Sequence, residues 1–243
     1  MKISLIIPAH NEEKYIGACL EHAIKNSHGI FHEILVIDNA STDKTAEIAG
    51  KFSGVRVVRE DRKGLTRARE RGLREATGEL LAYIDADTRL PEGWIDTLLK
   101  TYAKKENKEN LVCLSGPYTY YDAPLHKKMI LNGTWWLSAP LTYRMVGYMV
   151  LGGNFVAKKS ALEAMGGFDE SIEFYGEDTD IARRLSKYGK VMFRMDFSIP
   201  TSSRRFNAEG LFKTNIIYGL NYAWQVFFHK PLHKKYNDIR PKS

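Results

Sequence analysis

Apolar residues in this chain fall into two kinds of run, short continuous ones and longer ones with a helical repeat, and the two kinds alternate. Residues 3–8 predict a buried strand, and Glu12 to Asn26 then places Ile16, Cys19, Leu20, Ala23 and Ile24 on one helical face, with Asn11 as the expected N-cap. Ile34 to Ile37 predicts a second strand ending at Asp38, followed by a short helix with Ile48, Ala49 and Phe52 inward and a third strand over Val55 to Val58. Leu65, Ala68, Gly72, Leu73 and Ala76 mark a third helix, which leads into a strand at 80–84. This alternation predicts an α/β fold, a mostly parallel open sheet flanked by helices on both faces.

Past residue 90 the pattern loosens. Pro91 opens a helix with Ile95, Leu98, Leu99 and Tyr102 inward, the polar stretch Lys104 to Asn110 follows, and Leu111 to Ser115 reads as a strand. Pro117 to Pro124 is a tyrosine-rich connection, and Leu125 to Val150 carries Trp135, Trp136, Tyr143 and Tyr148, most of them expected in the core although they could line a groove. Gly152-Gly-Asn154 interrupts an apolar strand and would let its backbone approach a ligand or another strand closely. Glu177-Asp178-Thr-Asp180 opens a helix with Ile181, Ala182, Leu185 and Tyr188 on one side, and carboxylates in a first turn suit the helix dipole whatever their function.

The 243 residues give one domain with no repeat or low-complexity linker. A net charge of +7 favours anionic partners without choosing among them. Cys19 and Cys113 lie in apolar segments and read as core thiols of a reducing compartment, so a cytoplasmic location is expected. The apolar run after Met1 reads as the first strand rather than a leader, and the later runs Met145 to Gly153 and Ile216 to Phe228 fall short of the roughly 20 residues of a spanning helix.

The candidate chemistry begins at the fourth strand, which stops abruptly at Asp85-Ala-Asp87. Open α/β sheets bind ligands beyond the carboxyl ends of their strands, and here those ends carry Ala9-His10-Asn11, Asp38-Asn39 and Asp85-Ala-Asp87. Two carboxylates on one edge suit a hard divalent ion whose shell is completed by phosphate oxygens and water; the competing reading of Asp-Ala-Asp-Thr is a polar turn that caps a helix. No Gly-x-Gly-x-x-Gly follows the first strand and no Gly-Lys-Ser/Thr loop occurs, which disfavours a dinucleotide enzyme and a P-loop NTPase.

Five stretches, Ile6-Ile-Pro-Ala-His-Asn-Glu-Glu13, Val36-Ile-Asp-Asn-Ala-Ser-Thr-Asp43, Ala68-Arg-Glu-Arg-Gly72, Ile84-Asp-Ala-Asp87 and Gly176-Glu-Asp178, together resemble the family 2 glycosyltransferases of GT-A fold, in order and at about the family's spacing. The resemblance implies a nucleotide-sugar-binding half over 1–115, an acceptor and catalytic half over 116–206, and an aromatic and basic C-terminal element over 207–243. It implies that Pro8, Ala9, His10, Asn11, Asp38 and Asn39 hold the base and ribose of a nucleotide-diphosphate sugar, that Arg69 lies near the nucleotide, and that Asp85 and Asp87 serve Mn²⁺ or Mg²⁺ on the diphosphate, with Asp87 as the ligand. Asp178 matches the general base, with Glu177 beside it, and Gly153 and Asn154 fall at the floor of the acceptor site. A single in-line displacement with that base would invert the anomeric carbon.

The chain departs from the family at Asn39 and Ala40, where the common motif has Asp and Gly, and at Glu70, where it has Asn. The motif of processive members is reduced to Ser202-Ser-Arg-Arg-Phe206, which leaves Arg204 and Arg205 as contacts for diphosphate or an acidic acceptor, or as solvated residues. Trp135 and the basic tail suggest a glycan or lipid-linked acceptor and a peripheral site on an anionic membrane; the alternative for Leu211 to Phe228 is a helix packed on the core. His229 or His233 is a candidate third metal ligand, and no nucleic-acid partner is expected. The rival readings are a silent sugar-nucleotide or glycan-binding module of the same fold and a nucleotidyltransferase.

Overall fold

A computed structural model describes residues 1–104, 110–228 and 232–233. The first half alternates as expected: β1 (Ile3–Ala9), α1 (Ile16–Ser27), β2 (Glu33–Asn39), α2 (Thr45–Ala49), β3 (Val55–Glu60), α3 (Leu65–Glu75), β4 (Leu80–Ile84), α4 (Trp94–Ala103) and β5 (Leu111–Ser115). It continues with β6 (Tyr118–Tyr120), α5 (Leu125–Val146), β7 (Asn154–Lys158), α6 (Lys159–Ala164), α7 (Glu177–Leu185), β8 (Lys190–Phe193), β9 (Ile199–Thr201), α8 (Arg204–Glu209) and α9 (Leu211–Phe228).

Seven strands form one sheet in the order β3-β2-β1-β4-β7-β5-β8, and β6 pairs with β9 in a small parallel sheet. All pairings in the large sheet are parallel except those of β7, which runs antiparallel between β4 and β5. The two-residue repeat of β1 sends Ile3, Leu5 and Ile7 into a core under α1 and α4, and Ile6 into a second core with Ala68 and Leu73 of α3 and Ile181, Ala182 and Leu185 of α7. The chain runs outward from β1 through β2 to β3 and then crosses back to β4 on the other side of β1, so a crevice opens at the carboxyl ends of β1 and β4.

Several expectations about elements need correction. Helix α1 starts at Ile16, not Glu12, with no side-chain cap; Asn11 instead adopts φ 52° and accepts the Thr42 amide at 2.8 Å, because the chain must turn back toward β2 before the helix can begin. Ile24 and Tyr188 are exposed, Tyr188 because α7 ends three residues earlier. Of the aromatics after 125, Tyr143 packs against Phe193 and donates to the Val191 carbonyl, whereas Trp136 is 66% exposed. The side chain of Trp135 lies outside the described residues, as do His229 and the basic tail apart from Leu232 and His233.

Candidate active site

Beyond Ile84 the chain turns tightly, with Thr88 giving both its amide (3.1 Å) and its hydroxyl (2.7 Å) to the Asp85 carbonyl. Asp85-Ala-Asp-Thr is thus a turn, but not a helix cap, since α4 begins at Trp94. The turn directs both carboxylates into a cavity of about 480 Å³ at the edge of the sheet, whose wall also includes Pro8, Arg69, Gly152, Gly153 and Asp178.

Arg69 is the centre of this wall. It projects from the face of α3 packed on the sheet and is 1% exposed, with its guanidinium in contact with Glu177, 3.9 Å from Asp85 Oδ1 and 4.0 Å from Asp178 Oδ1. Burial opposes the Arg69 charge, but Glu177, Asp178 and Asp85 outweigh it and raise its pKa above the ordinary value. Glu177 is buried against this arginine, and desolvation still drives its pKa well up, with the neighbouring carboxylates adding to the effect. Asp178, the next residue along α7, keeps 33% of its side chain exposed, and its Oδ1 has no hydrogen-bond partner among the described residues. Of the two carboxylates expected to be catalytic, Asp178 faces the cavity and Glu177 holds Arg69.

Asp85 lines the cavity with part of its side chain exposed; desolvation there raises its pKa, Arg69 opposes and Asp178 adds to the rise. Tyr118 donates to its Oδ2 at 3.5 Å and accepts the Gly153 amide at 2.8 Å. The antiparallel strand β7 brings the glycines here: its first residue, Asn154, pairs with Ile84 at the end of β4. Both are required by close approach, since a Cβ on Gly152 would lie 2.2 Å from Arg69 Nη2 and 2.3 Å from Asp178 Oδ1, and one on Gly153 would lie 2.1 Å from Asp85 Oδ2. Asn154 does not reach the cavity: its amide donates to the Gly116 and Phe197 carbonyls and accepts from Trp94, which fixes the root of the loop.

Asp87 accepts from Thr201 at 3.3 Å and lies 2.9 Å from Arg204 Nε. Arg204 also grips Glu12 through both terminal nitrogens, at 2.6 and 2.7 Å, so it is no solvated residue. It arrives there because Arg89 donates to the Pro200 carbonyl and Thr88 bridges to Thr201, which lays β9 over the Asp85–Asp87 turn. Arg205 pairs with Glu209 and lies over the Phe174 ring, also on the cavity wall. Glu12 and Tyr118 were not singled out from the sequence as site residues, whereas the close approach expected at Gly152-Gly153 is present; Glu12 lies inside the recognisable Ile6–Glu13 stretch.

The remaining expected nucleotide residues form a rim at the ends of β1 and β2. Ala9 is buried beside Pro8, and His10 Nδ1 lies 2.7 Å from the Asn39 carbonyl. Asp38 is buried against Arg59 and accepts the Ser41 amide. Asn39 donates to the Glu60 and Arg62 carbonyls and accepts the Gly64 amide, tying the rim to the loop before α3.

Two acidic oxygen donors, Asp85 and Asp87, suit a hard divalent cation, and no cluster of three or more His, Cys, Asp or Glu side chains that could hold a metal occurs among the described residues. His233 faces Asn221, with its ring against Tyr175. The residues present therefore fit an ion that takes the rest of its shell from diphosphate and water.

Comparison with known proteins bears on the family and the fold. Residues 4–165 match the family model described as glycosyl transferase family 2, and residues 137–206 match one described as the N-terminal domain of galactosyltransferase. Glycosyltransferase GlyG of Streptococcus pneumoniae is 32% identical over 49% of this chain, which spans 40% of that protein, and the uncharacterized glycosyltransferase YibD of Escherichia coli is 24% identical over 98% of this chain and 72% of its own length. The chain thus covers less than half of GlyG. Among solved structures, the mannosyltransferase PcManGT of Pyrobaculum calidifontis in complex with GDP-Man and Mn²⁺ superposes with a TM-score of 0.67 at 18% identity, over 93% of this chain and 63% of that one. Glucosyl-3-phosphoglycerate synthase of Mycobacterium tuberculosis with Mn²⁺, UDP-glucose and phosphoglyceric acid gives 0.63 at 19% identity, over 93% and 78%. A GT-A sheet carrying the Asp85–Asp87 turn at its edge, and a family match over residues 4–165, lead to one conclusion: this chain belongs to the family 2 glycosyl transferases.

Proposed function

We propose that the chain transfers a sugar from a nucleotide-diphosphate donor to an acceptor hydroxyl or phosphate with the help of a divalent cation, Mn²⁺ or Mg²⁺, and with inversion. The observation that carries this reading is the meeting in one cavity of Asp85 and Asp87, from the turn after β4, with Asp178 from α7, beside Arg69. Asp85 and Asp87 would hold the cation, which when bound offsets the negative charge on the leaving diphosphate. Pro8, Ala9, His10, Asn11, Asp38 and Asn39 form the rim for base and ribose, so the nucleotide half is 1–115.

In the acceptor half, 116–206, Asp178 takes the proton from the incoming hydroxyl, and its unpartnered Oδ1 supports that role. An acceptor that is already a phosphate anion needs this proton transfer less. Arg69, 4.0 Å from Asp178 Oδ1, helps to orient it, and Glu177 holds Arg69. Gly152 and Gly153 let the loop lie close enough to seat the acceptor against Asp85 and Asp178. The acceptor is a glycan or a lipid-linked molecule, and an anionic membrane surface suits the net charge of +7 and the exposed apolar residues of α5 and α9. No helix among the described residues is long and apolar enough to cross a membrane.

Thermal stability measured against UDP, GDP, CDP and dTDP, with and without Mn²⁺, tests the donor site. A nucleotide at 100 times its dissociation constant adds about 2.7 kcal/mol. The expected result is a shift for one nucleotide that needs metal and disappears in Asp87→Ala. Asp178→Asn should keep that shift and lose sugar transfer to a hydroxyl acceptor by about 100-fold or more. If no nucleotide shifts the protein, the donor reading fails and a silent glycan-binding module takes its place.

A further inference from the structure

The cavity continues well past the charged groups. Away from Asp85 and Asp178 its wall passes to Ala139 and Thr142 of α5, Met149, Val150, and Tyr218 with Gly219 of α9. Ser138, Asn215, Asn221 and Tyr222 add polar groups to this wall, but most of its surface is apolar or aromatic, which suits a hydrocarbon chain better than a second sugar.

The two helices that build this end are unusual on their outer faces. Next to the cavity-lining positions on α5 stand Leu137, Leu141 and Met145, and next to those on α9 stand Ile216, Leu220 and Phe227, all exposed, with Leu137 at 81% and Phe227 at 76%. A surface helix of a water-facing protein carries polar residues there; helices that are apolar both inward and outward belong beside an apolar medium. Within α9 the one charged residue is Lys213, and the sequence that follows it, 229–243, holds five Lys and Arg against one Asp. That combination matches an anionic lipid surface in both charge and polarity.

We propose that the acceptor is an amphiphile, a long apolar chain ending in a hydroxyl or phosphate, whose chain lies between α5 and α9 while its head group reaches Asp178. This rests on the transferase reading of the site and names the acceptor class for it. Gly219 gives a direct handle on the chain: a Cβ there meets nothing within 4 Å, so a large side chain enters open space at the cavity wall, and replacing glycine in a helix favours folding.

The test is binding of hexyl, octyl and decyl phosphate, below their micelle concentrations, to the full chain by titration calorimetry, with methyl phosphate as the chainless probe. Affinity is expected to rise about fourfold per buried methylene and to fall at least tenfold for decyl phosphate in Gly219→Phe. Decyl phosphate that binds no better than methyl phosphate overturns the proposal. Decyl phosphate that binds equally well to Gly219→Phe assigns the chain to the outer stripes of α5 and α9 and also overturns it. The nucleotide and Mn²⁺ shift of the unmodified chain, read on the same preparation, separates the two levels. If it is present without chain-length dependence, only the acceptor class fails; if it is absent, the transferase reading fails.

Discussion

At Asn39 a single amide carries more than a recognition role. It donates to the Glu60 carbonyl at 3.2 Å and to the Arg62 carbonyl at 2.8 Å while accepting the Gly64 amide at 2.8 Å, and a carboxylate in its place could do only the last. This gives the departure from the family's Asp a structural reason. Asn39→Asp should therefore lower unfolding stability by about 2–3 kcal/mol, because two acceptors in a largely buried position lose their donor, and urea titration reads this directly. An unchanged midpoint would mean that the loop 60–64 is held by other contacts. The next residue, Ala40, sits at φ 55°, where the family has Gly, so this rim keeps a left-handed turn at some steric cost.

Among the elements, the edge that joins β1, β2 and β4 depends on Glu33. Its carboxylate accepts Ser4 Oγ of β1 at 2.7 Å and both the amide and hydroxyl of Thr77 before β4, with Arg56 of β3 alongside. Burial pushes the Glu33 pKa up, but the hydrogen bonds from Ser4, Thr77 and Arg56 outweigh it and hold it at about 2, against an ordinary 4.5. The folded state thus binds the proton less readily than the unfolded one. Its stabilising contribution is present above the ordinary value and is lost as pH falls from about 4.5 through about 2. Melting temperatures taken from about pH 5 down to about pH 2 should fall more steeply for the natural chain than for Glu33→Gln, which cannot titrate; parallel curves would show that other carboxylates control the acid limit.

For the molecule as a whole, the net charge of +7 and the apolar outer faces of α5 and α9 act together. Attraction of a basic surface to anionic vesicles is screened within about 10 Å at 0.1 M salt and about 3 Å at 1 M. Cosedimentation with phosphatidylserine vesicles is expected at low salt and should weaken on raising salt toward 1 M or on deleting residues 229–243. Binding that ignores both changes would place the contact on the apolar stripes alone, and absence of binding at low salt would remove the membrane from the reading.

The sequence by itself determined the alternation of strands and helices through residue 84, the positions of the strand ends, and the polar groups they carry. These features are written in local periodicity: a period of two or a continuous apolar run for β1, β2 and β4, and a period of 3.6 for α1 and α3. The acidic turn at Asp85–Asp87 and the Gly176-Glu-Asp178 stretch were equally legible, because each is a contiguous pattern. Only the tertiary structure decided which residues meet. Periodicity does not encode sheet order, so the antiparallel insertion of β7 that brings Gly152 and Gly153 to Asp85 was hidden, as were Tyr118 and the span from Glu12 to Arg204 across Asp87. The inward faces of α5 and α9 were hidden for the opposite reason, although Leu211–Phe228 was already bounded as a possible helix. Both helices are apolar on more than one face, and a sequence without a polar side gives no direction for its inside, which was settled by the cavity they enclose.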